Sequence, residues 1–186
     1  MKRVLVRAPL LTNSGYGVHS RQVFSWLLKE SKARNFEIDV ECLNWGNCSW
    51  IVEESKEDGL VKEIMQRSKP LNAPYDVTFQ IQLPDEWNVG ITAAVESDKC
   101  NPKWLECCNK MDHIIVPSTF TKNVLKRSGI LLKKISVVPE WYHETIGASE
   151  IDAIDLNLKT TFNFLTIGML THTDPAQDRK NLVNTI

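Results

Sequence analysis

The feature that most constrains this sequence is the alternation of short aliphatic runs with longer amphipathic ones. Arg3 to Ala8 is a β-branched and aliphatic run of strand length. From Val18 the pattern turns helical. Val23, Phe24, Leu27 and Leu28 recur at three- and four-residue spacing, with Arg21, Lys29 and Lys32 opposite. Phe36 to Leu43 alternates Phe36, Ile38 and Val40 and predicts a second strand. Ile51 to Gln66 reads as a helix weakened by Gly59. Val77 to Leu83, Val89 to Val95, Ile114 to Val116 and Ile135 to Val138 read as further strands. Helices are predicted over Trp104 to Met111 and Thr119 to Ser128, the latter capped by Ser118 and ended by Gly129. Strands that alternate with helices predict an α/β fold: a Rossmann-like, mainly parallel sheet with helices on both faces.

Past residue 139 the pattern changes. Glu140 to Thr161 is irregular and reads as a linker. Phe162 to Ile167 is a new apolar strand ending at Gly168, and Arg179 to Ile186 has the look of a helix start. The expected organisation is therefore a first domain with its linker over 1–160. The opening strand, loop and helix of a second domain occupy 161–186.

Bulk properties narrow the class. A formal net charge of −1 gives no basic excess of the kind that marks nucleic-acid binding. Arg7 and Pro9 interrupt the N-terminal apolar run, so it is neither a signal peptide nor a membrane span, and a cytoplasmic protein is expected. The five cysteines include no C-x-x-C pair, which predicts reduced thiols rather than a disulfide framework. Cys100, Cys107, Cys108 and His113 match no common zinc spacing.

The segment Gly15-Tyr16-Gly17-Val18-His19-Ser20 lies between a strand and a helix, as a dinucleotide fingerprint does, with Ser20 replacing the third glycine. Two details oppose a nicotinamide site. Pro9 to Ser14 separate the strand from the first glycine, and the second strand ends Cys42-Leu43-Asn44 without a ribose-binding acid. Two readings remain. The glycines bring backbone N–H groups close to a ligand, or they make a tight turn that needs positive φ. His19 and Arg21 lie in the first helical turn beside this loop, where a lone histidine is more often a surface or capping residue than a base.

Further along, Ile114-Ile115-Val116-Pro117-Ser118-Thr119-Phe120-Thr121 resembles a strand-to-helix segment of GT-B glycosyltransferases. Ser128-Gly129-Ile130, Ile135 to Pro139, Phe162 to Gly168 and Arg179-Lys180-Asn181-Leu182 follow in that family's order, after its glycine-rich loop at Gly15 to Gly17. The resemblance runs along nearly the whole chain and is nearest to glycosyltransferase family 4. Met169 stands where the family often has arginine, and Val138-Pro139-Glu140-Trp141 replaces its usual linker.

The resemblance implies the N-terminal, acceptor-side half of a GT-B fold and a retaining sugar transfer from a nucleotide-sugar donor. It implies a glycan, lipid-linked or protein acceptor. The nucleotide sugar is a co-substrate, and no cofactor or metal is strictly required. Arg179 and Lys180 would act on the leaving diphosphate, where fixed cations lower the barrier, with Gly168 beside the donor phosphate. Gly15, Tyr16, Gly17, Glu96 and Ser118 would line the acceptor side, Ser118 also reading as a helix cap. Trp45, Trp50, Trp87 and Trp104 are candidates for stacking on sugars or for packing. The family's acidic pair has no counterpart before Ile186, so the expectation is a chain inactive by itself that needs a C-terminal half. The competing readings are a non-catalytic sugar- or partner-binding module and a nucleotide-sugar epimerase of the same fold. No nucleic-acid partner or transmembrane segment is expected, and peripheral membrane contact stays open.

Overall fold

The computed structural model describes residues 1–71, 74–82, 89–93, 97–142, 155–168, 173–177, 182 and 184. The chain divides into two compact units, Met1–Tyr142 and His143–Ile186.

The first unit is built on six strands: β1 (Lys2–Ala8), β2 (Phe36–Cys42), β3 (Val77–Ile81), β4 (Val89–Ile91), β5 (His113–Val116) and β6 (Lys134–Val137). They pair in the order β2-β1-β3-β4-β5-β6, every pair parallel. The α/β, Rossmann-like expectation is met. Among the described residues four α-helices accompany the sheet: α1 (Gly15–Arg34), α2 (Leu60–Arg67), α3 (Pro102–Lys110) and α4 (Thr119–Ser128).

Each helix has a local reason for its limits. Ser14 Oγ accepts from Gly17 N–H at the start of α1, and Asn35 closes α1 in the left-handed conformation with its N–H donated to Ser31 O. Asn101 caps α3, with Pro102 in the first turn where no amide proton is needed. Ser118 accepts from Thr121 N–H and caps α4 as expected.

Strand register sorts side chains between the two faces. Val6 lies between Val40 and Phe79 on one face, and Arg7 lies between Glu41 and Gln80 on the other. The first face carries the main core. Val6, Ala8, Ile38, Val40, Ile81 and Ile91 pack with Phe24 and Leu27 of α1 and Val61 and Ile64 of α2. A second core joins Ile114, Val116 and Ile135 to Leu105 and Cys108 of α3 and Leu125 of α4. On this second face, Arg7 donates to both Glu41 and Gln80 Oε1, closing a polar row across β2, β1 and β3.

Four expectations are corrected. Helix α1 begins at Gly15, not Val18, because the Ser14 cap starts the turn before the glycines. Arg21 is buried instead of solvated with Lys29 and Lys32. Within Ile51 to Gln66 only Leu60–Arg67 is α-helical, after a 3-10 turn at Glu57–Gly59. Ile51 is instead held extended, its N–H donated to Leu11 O at 2.7 Å, and Gly59 at φ +83° breaks the turn from the helix. In the second unit, Phe162 to Ile167 is not a strand: it is irregular and exposed. A strand exists only through ladder hydrogen bonds, and no described residue pairs with this run.

Candidate functional site

In an open parallel sheet, ligands bind beyond the carboxyl ends of the strands, where the strand order reverses. Here the reversal falls between β1 and β3, since β1 is followed in sequence by β2 on one side and paired with β3 on the other. The loop after β1 and the N-terminus of α1 lie at that edge.

This loop is tightly built. Thr12 N–H and Thr12 Oγ1 both donate to Pro9 O. Asn13 N–H donates to Ser49 O at 2.9 Å, and Thr12 bridges to Trp50, so the loop is laced to the segment after β2. Arg21 fixes it from below. Its Nη1 donates to Leu10 O at 2.8 Å and Thr12 O at 3.0 Å, and its Nε reaches Glu57 at 2.6 Å. The Arg21 side chain is 4% exposed, and its guanidinium satisfies carbonyls that no helix or strand serves.

The two glycines have different roles. A Cβ on Gly17 would lie 2.1 Å from Thr12 O, so glycine is required where helix and loop meet. A Cβ on Gly15 would meet nothing within 4 Å. Neither glycine has a positive φ, which removes the tight-turn reading. At Gly17 the close approach is to the chain's own Thr12 carbonyl, a packing role that neither reading named.

Tyr16 crosses to the next strands. Its hydroxyl lies 3.1 Å from Thr92 Oγ1 and accepts from Ala93 N–H at 3.2 Å. Its ring packs on Trp45, with centroids 4.4 Å apart. Ala93 O in turn faces Thr121 Oγ1 at 3.5 Å, beside the Ser118 cap of α4. The start of α1, the end of β4 and the start of α4 are thus drawn together at one edge. Of the residues chosen from sequence, Gly15, Tyr16, Gly17 and Ser118 belong to this assembly.

The others do not join it here. Glu96, Arg179 and Lys180 lie outside the described residues. Gly168 belongs to the second unit, where a Cβ added to it would lie 3.0 Å from Leu182 Cδ1. Among the tryptophans, Trp45 packs on Tyr16, Trp50 is 42% exposed, Trp104 packs partly against the second core, and Trp87 is outside the described residues. Of the three described, only Trp50 presents an open ring.

His19, one turn into α1, is half-buried. Burial lowers its pKa, opposed by the charge of Glu140 and by a hydrogen bond with Gln22. His19 Nδ1 and Gln80 Nε2 are buried without a hydrogen-bond partner among the described residues. Cys108 is pushed up to about 12, first by burial and then by Cys100 and Cys107, which makes it a poor nucleophile. His113 Nε2 is within 2.9 Å of Ser136 Oγ. Among the described residues no group of three His, Cys, Asp or Glu is placed to hold a metal ion, and no helix is long and apolar enough to cross a membrane.

Arg21, Thr92 and Thr121 were not among the candidate site residues read from the sequence. Arg21 left a readable trace. Gly17, Ser20, Phe24 and Leu27 form the buried stripe of α1, and Arg21 lies in the middle of it. Two small residues beside an arginine on a buried stripe leave room for its guanidinium. Thr92 and Thr121 left none, because their meeting with Tyr16 and Ala93 depends on the strand order.

Fold and edge together define a Rossmann-like α/β unit whose carboxyl edge is tied together by hydrogen bonds among α1, β4 and α4. No protein-family model, curated protein or solved structure matches the chain.

Proposed function

We propose that residues 1–142 form the acceptor-side domain of a GT-B glycosyltransferase that uses a nucleotide-sugar donor. The observation that supports this reading is the convergence of Tyr16, Ala93 and Thr121 at the carboxyl edge. It places the glycine-bearing start of α1 next to the Ser118 start of α4, and both segments belong to the resemblance. Two helix N-termini at one edge favour a hydroxyl-rich or anionic ligand through their free N–H groups.

In this reading an acceptor hydroxyl attacks the anomeric carbon of the donor. The carbon–oxygen bond to the diphosphate breaks, and the acceptor proton leaves with solvent or the phosphate. Arg179 and Lys180 offset the charge that gathers on the leaving diphosphate. The first unit holds the acceptor.

Magnetic resonance titration of the chain tests the assignment. Acceptor-type oligosaccharides should shift the amides of Tyr16, Ala93 and Thr121, while nucleotide sugars leave them unmoved. Nucleotide-sugar binding at this edge would reverse the roles of the two units, and saccharides that shift nothing would remove the acceptor assignment.

A further inference from the structure

Charge is spread unevenly along this near-neutral chain. Residues 101–139 hold seven lysines and arginines against two acids, Glu106 and Asp112, whereas the other residues hold fifteen against twenty-one. From residue 113 to residue 139 there is no acid. The excess gathers around one turn. Lys126 and Arg127 lie in the last turn of α4, and Lys133 and Lys134 lead into β6. Continuing the β5–β6 register brings Asp112 near Lys133, which offsets one of these charges. Lys126, Arg127 and Lys134 are exposed and have no ion pair among the described residues.

Between these cations stand Ile130 and Leu132, each 78% exposed. The backbone fixes that exposure. Asn109 of α3 donates from Nδ2 to Ile130 O at 2.9 Å, and its Oδ1 accepts from Leu132 N–H at 2.8 Å. Leu131 packs on the second core, and with it turned in, its two neighbours are turned out. The α4 dipole favours Lys126 and Arg127, but it explains neither Lys134 nor two open aliphatic side chains among cations.

We propose that the turn over 126–134 docks on an anionic lipid bilayer. Ile130 and Leu132 enter the boundary between headgroups and acyl chains, while Lys126, Arg127 and Lys134 meet lipid phosphates. Charge complementarity selects the partner, and the aliphatic pair selects its kind. A bilayer surface offers negative headgroups over an apolar layer and needs no shaped pocket. A nucleic acid would supply phosphates, but its bases stack on rings. Phe120, the exposed ring of α4, stands at the far end of that helix. The turn lies at the amino edge of the sheet, the length of α4 away from the Ser118 cap, so docking leaves the carboxyl edge open. This inference is independent of the glycosyltransferase reading.

Flotation with phosphatidylcholine vesicles, plain or with about one-third phosphatidylglycerol, tests it. The chain should bind the anionic vesicles and not the plain ones, and binding should weaken as salt is added. Spin-labelled lipid should broaden the amides of 130–132 before any others. Lys126→Gln with Arg127→Gln should lower binding by roughly tenfold or more, since each cation near a charged leaflet is worth roughly fivefold. Ile130→Ser with Leu132→Ser should lower it by roughly tenfold. Both pairs are exposed, so circular dichroism should not change. Lys29→Gln with Lys32→Gln, which removes exposed cations of α1, should leave binding nearly unchanged. A chain that ignores anionic vesicles would overturn the proposal, as would binding that survives the loss of Ile130 and Leu132, or broadening centred elsewhere. An equal loss in the α1 variant would do the same, because it would mean general charge attraction. Tighter binding to duplex DNA than to the vesicles at equal salt would give the turn to nucleic acid instead.

Discussion

Tyr16 and Thr92 share a hydrogen bond of 3.1 Å across the carboxyl edge of the sheet, joining the first turn of α1 to the end of β4. Ala93 N–H donates to the same hydroxyl at 3.2 Å. Removing that hydroxyl leaves the Trp45 contact in place. Tyr16→Phe should therefore cost about 1 kcal/mol, the usual net worth of such bonds. Urea denaturation measures it, and an unchanged midpoint would show that the edge is not held by Tyr16.

Arg21 is the more severe site. Arg21→Met keeps the apolar stem but strands Leu10 O and Thr12 O in a buried position. Carbonyls left without donors cost about 1–3 kcal/mol each when buried. The loss should exceed about 2 kcal/mol. Glu57, the other partner, is 42% exposed, so Glu57→Gln should cost under about 1 kcal/mol. Equal losses in the two variants would mean that the ion pair, and not the carbonyl clamp, holds the loop.

The two glycines of α1 separate cleanly. Gly17→Ala forces a methyl into the Thr12 carbonyl and should destabilise by about 1–3 kcal/mol. Gly15→Ala enters open space in a helical residue and should be neutral or stabilise by up to about 1 kcal/mol. Thermal unfolding of both variants decides whether close packing or a ligand explains the pair. A ligand-bound Gly15 would show itself as lost binding at unchanged stability.

His19 gives the fold a pH dependence. Burial lowers its pKa below the ordinary 6.5 in the folded state, so the unfolded chain takes up a proton first as the pH falls. The contribution of neutral His19 is complete above about pH 6.5 and is lost as the pH drops from there through the folded pKa. His19→Gln should therefore flatten the acid limb of the stability curve between neutrality and mild acid. Parallel limbs for the two proteins would exclude His19 as the source.

In a polypeptide that performs the transfer, Lys180→Ala should lower turnover by roughly a hundredfold or more, the scale seen when a group that stabilises developing charge is removed. The fold should survive it. Donor consumption followed under single-turnover conditions measures the step, and unchanged turnover would take Lys180 out of the mechanism.

Much of this was legible before any coordinates. The strands were read from aliphatic runs such as Arg3 to Ala8, and α4 was bounded by Ser118 and Gly129 because capping is a local interaction. The second half of the predicted Ile51 to Gln66 helix was real. Its first half was misread because an antiparallel bridge from Thr12 to Trp50, supplied by a distant segment, holds the chain extended at the start of that run. Phe162 to Ile167 has the composition of a strand, but composition supplies no ladder partner.

The sequence by itself determined the class of the protein: periodicity and caps act over a few residues and write themselves into the chain as an alternating α/β pattern. Tertiary structure alone decided the site. The strand order β2-β1-β3-β4-β5-β6 brings Tyr16 to Thr92 and Ala93, and Ala93 to Thr121. Those contacts join segments far apart in the chain, and their free energy depends on packing that no local pattern encodes.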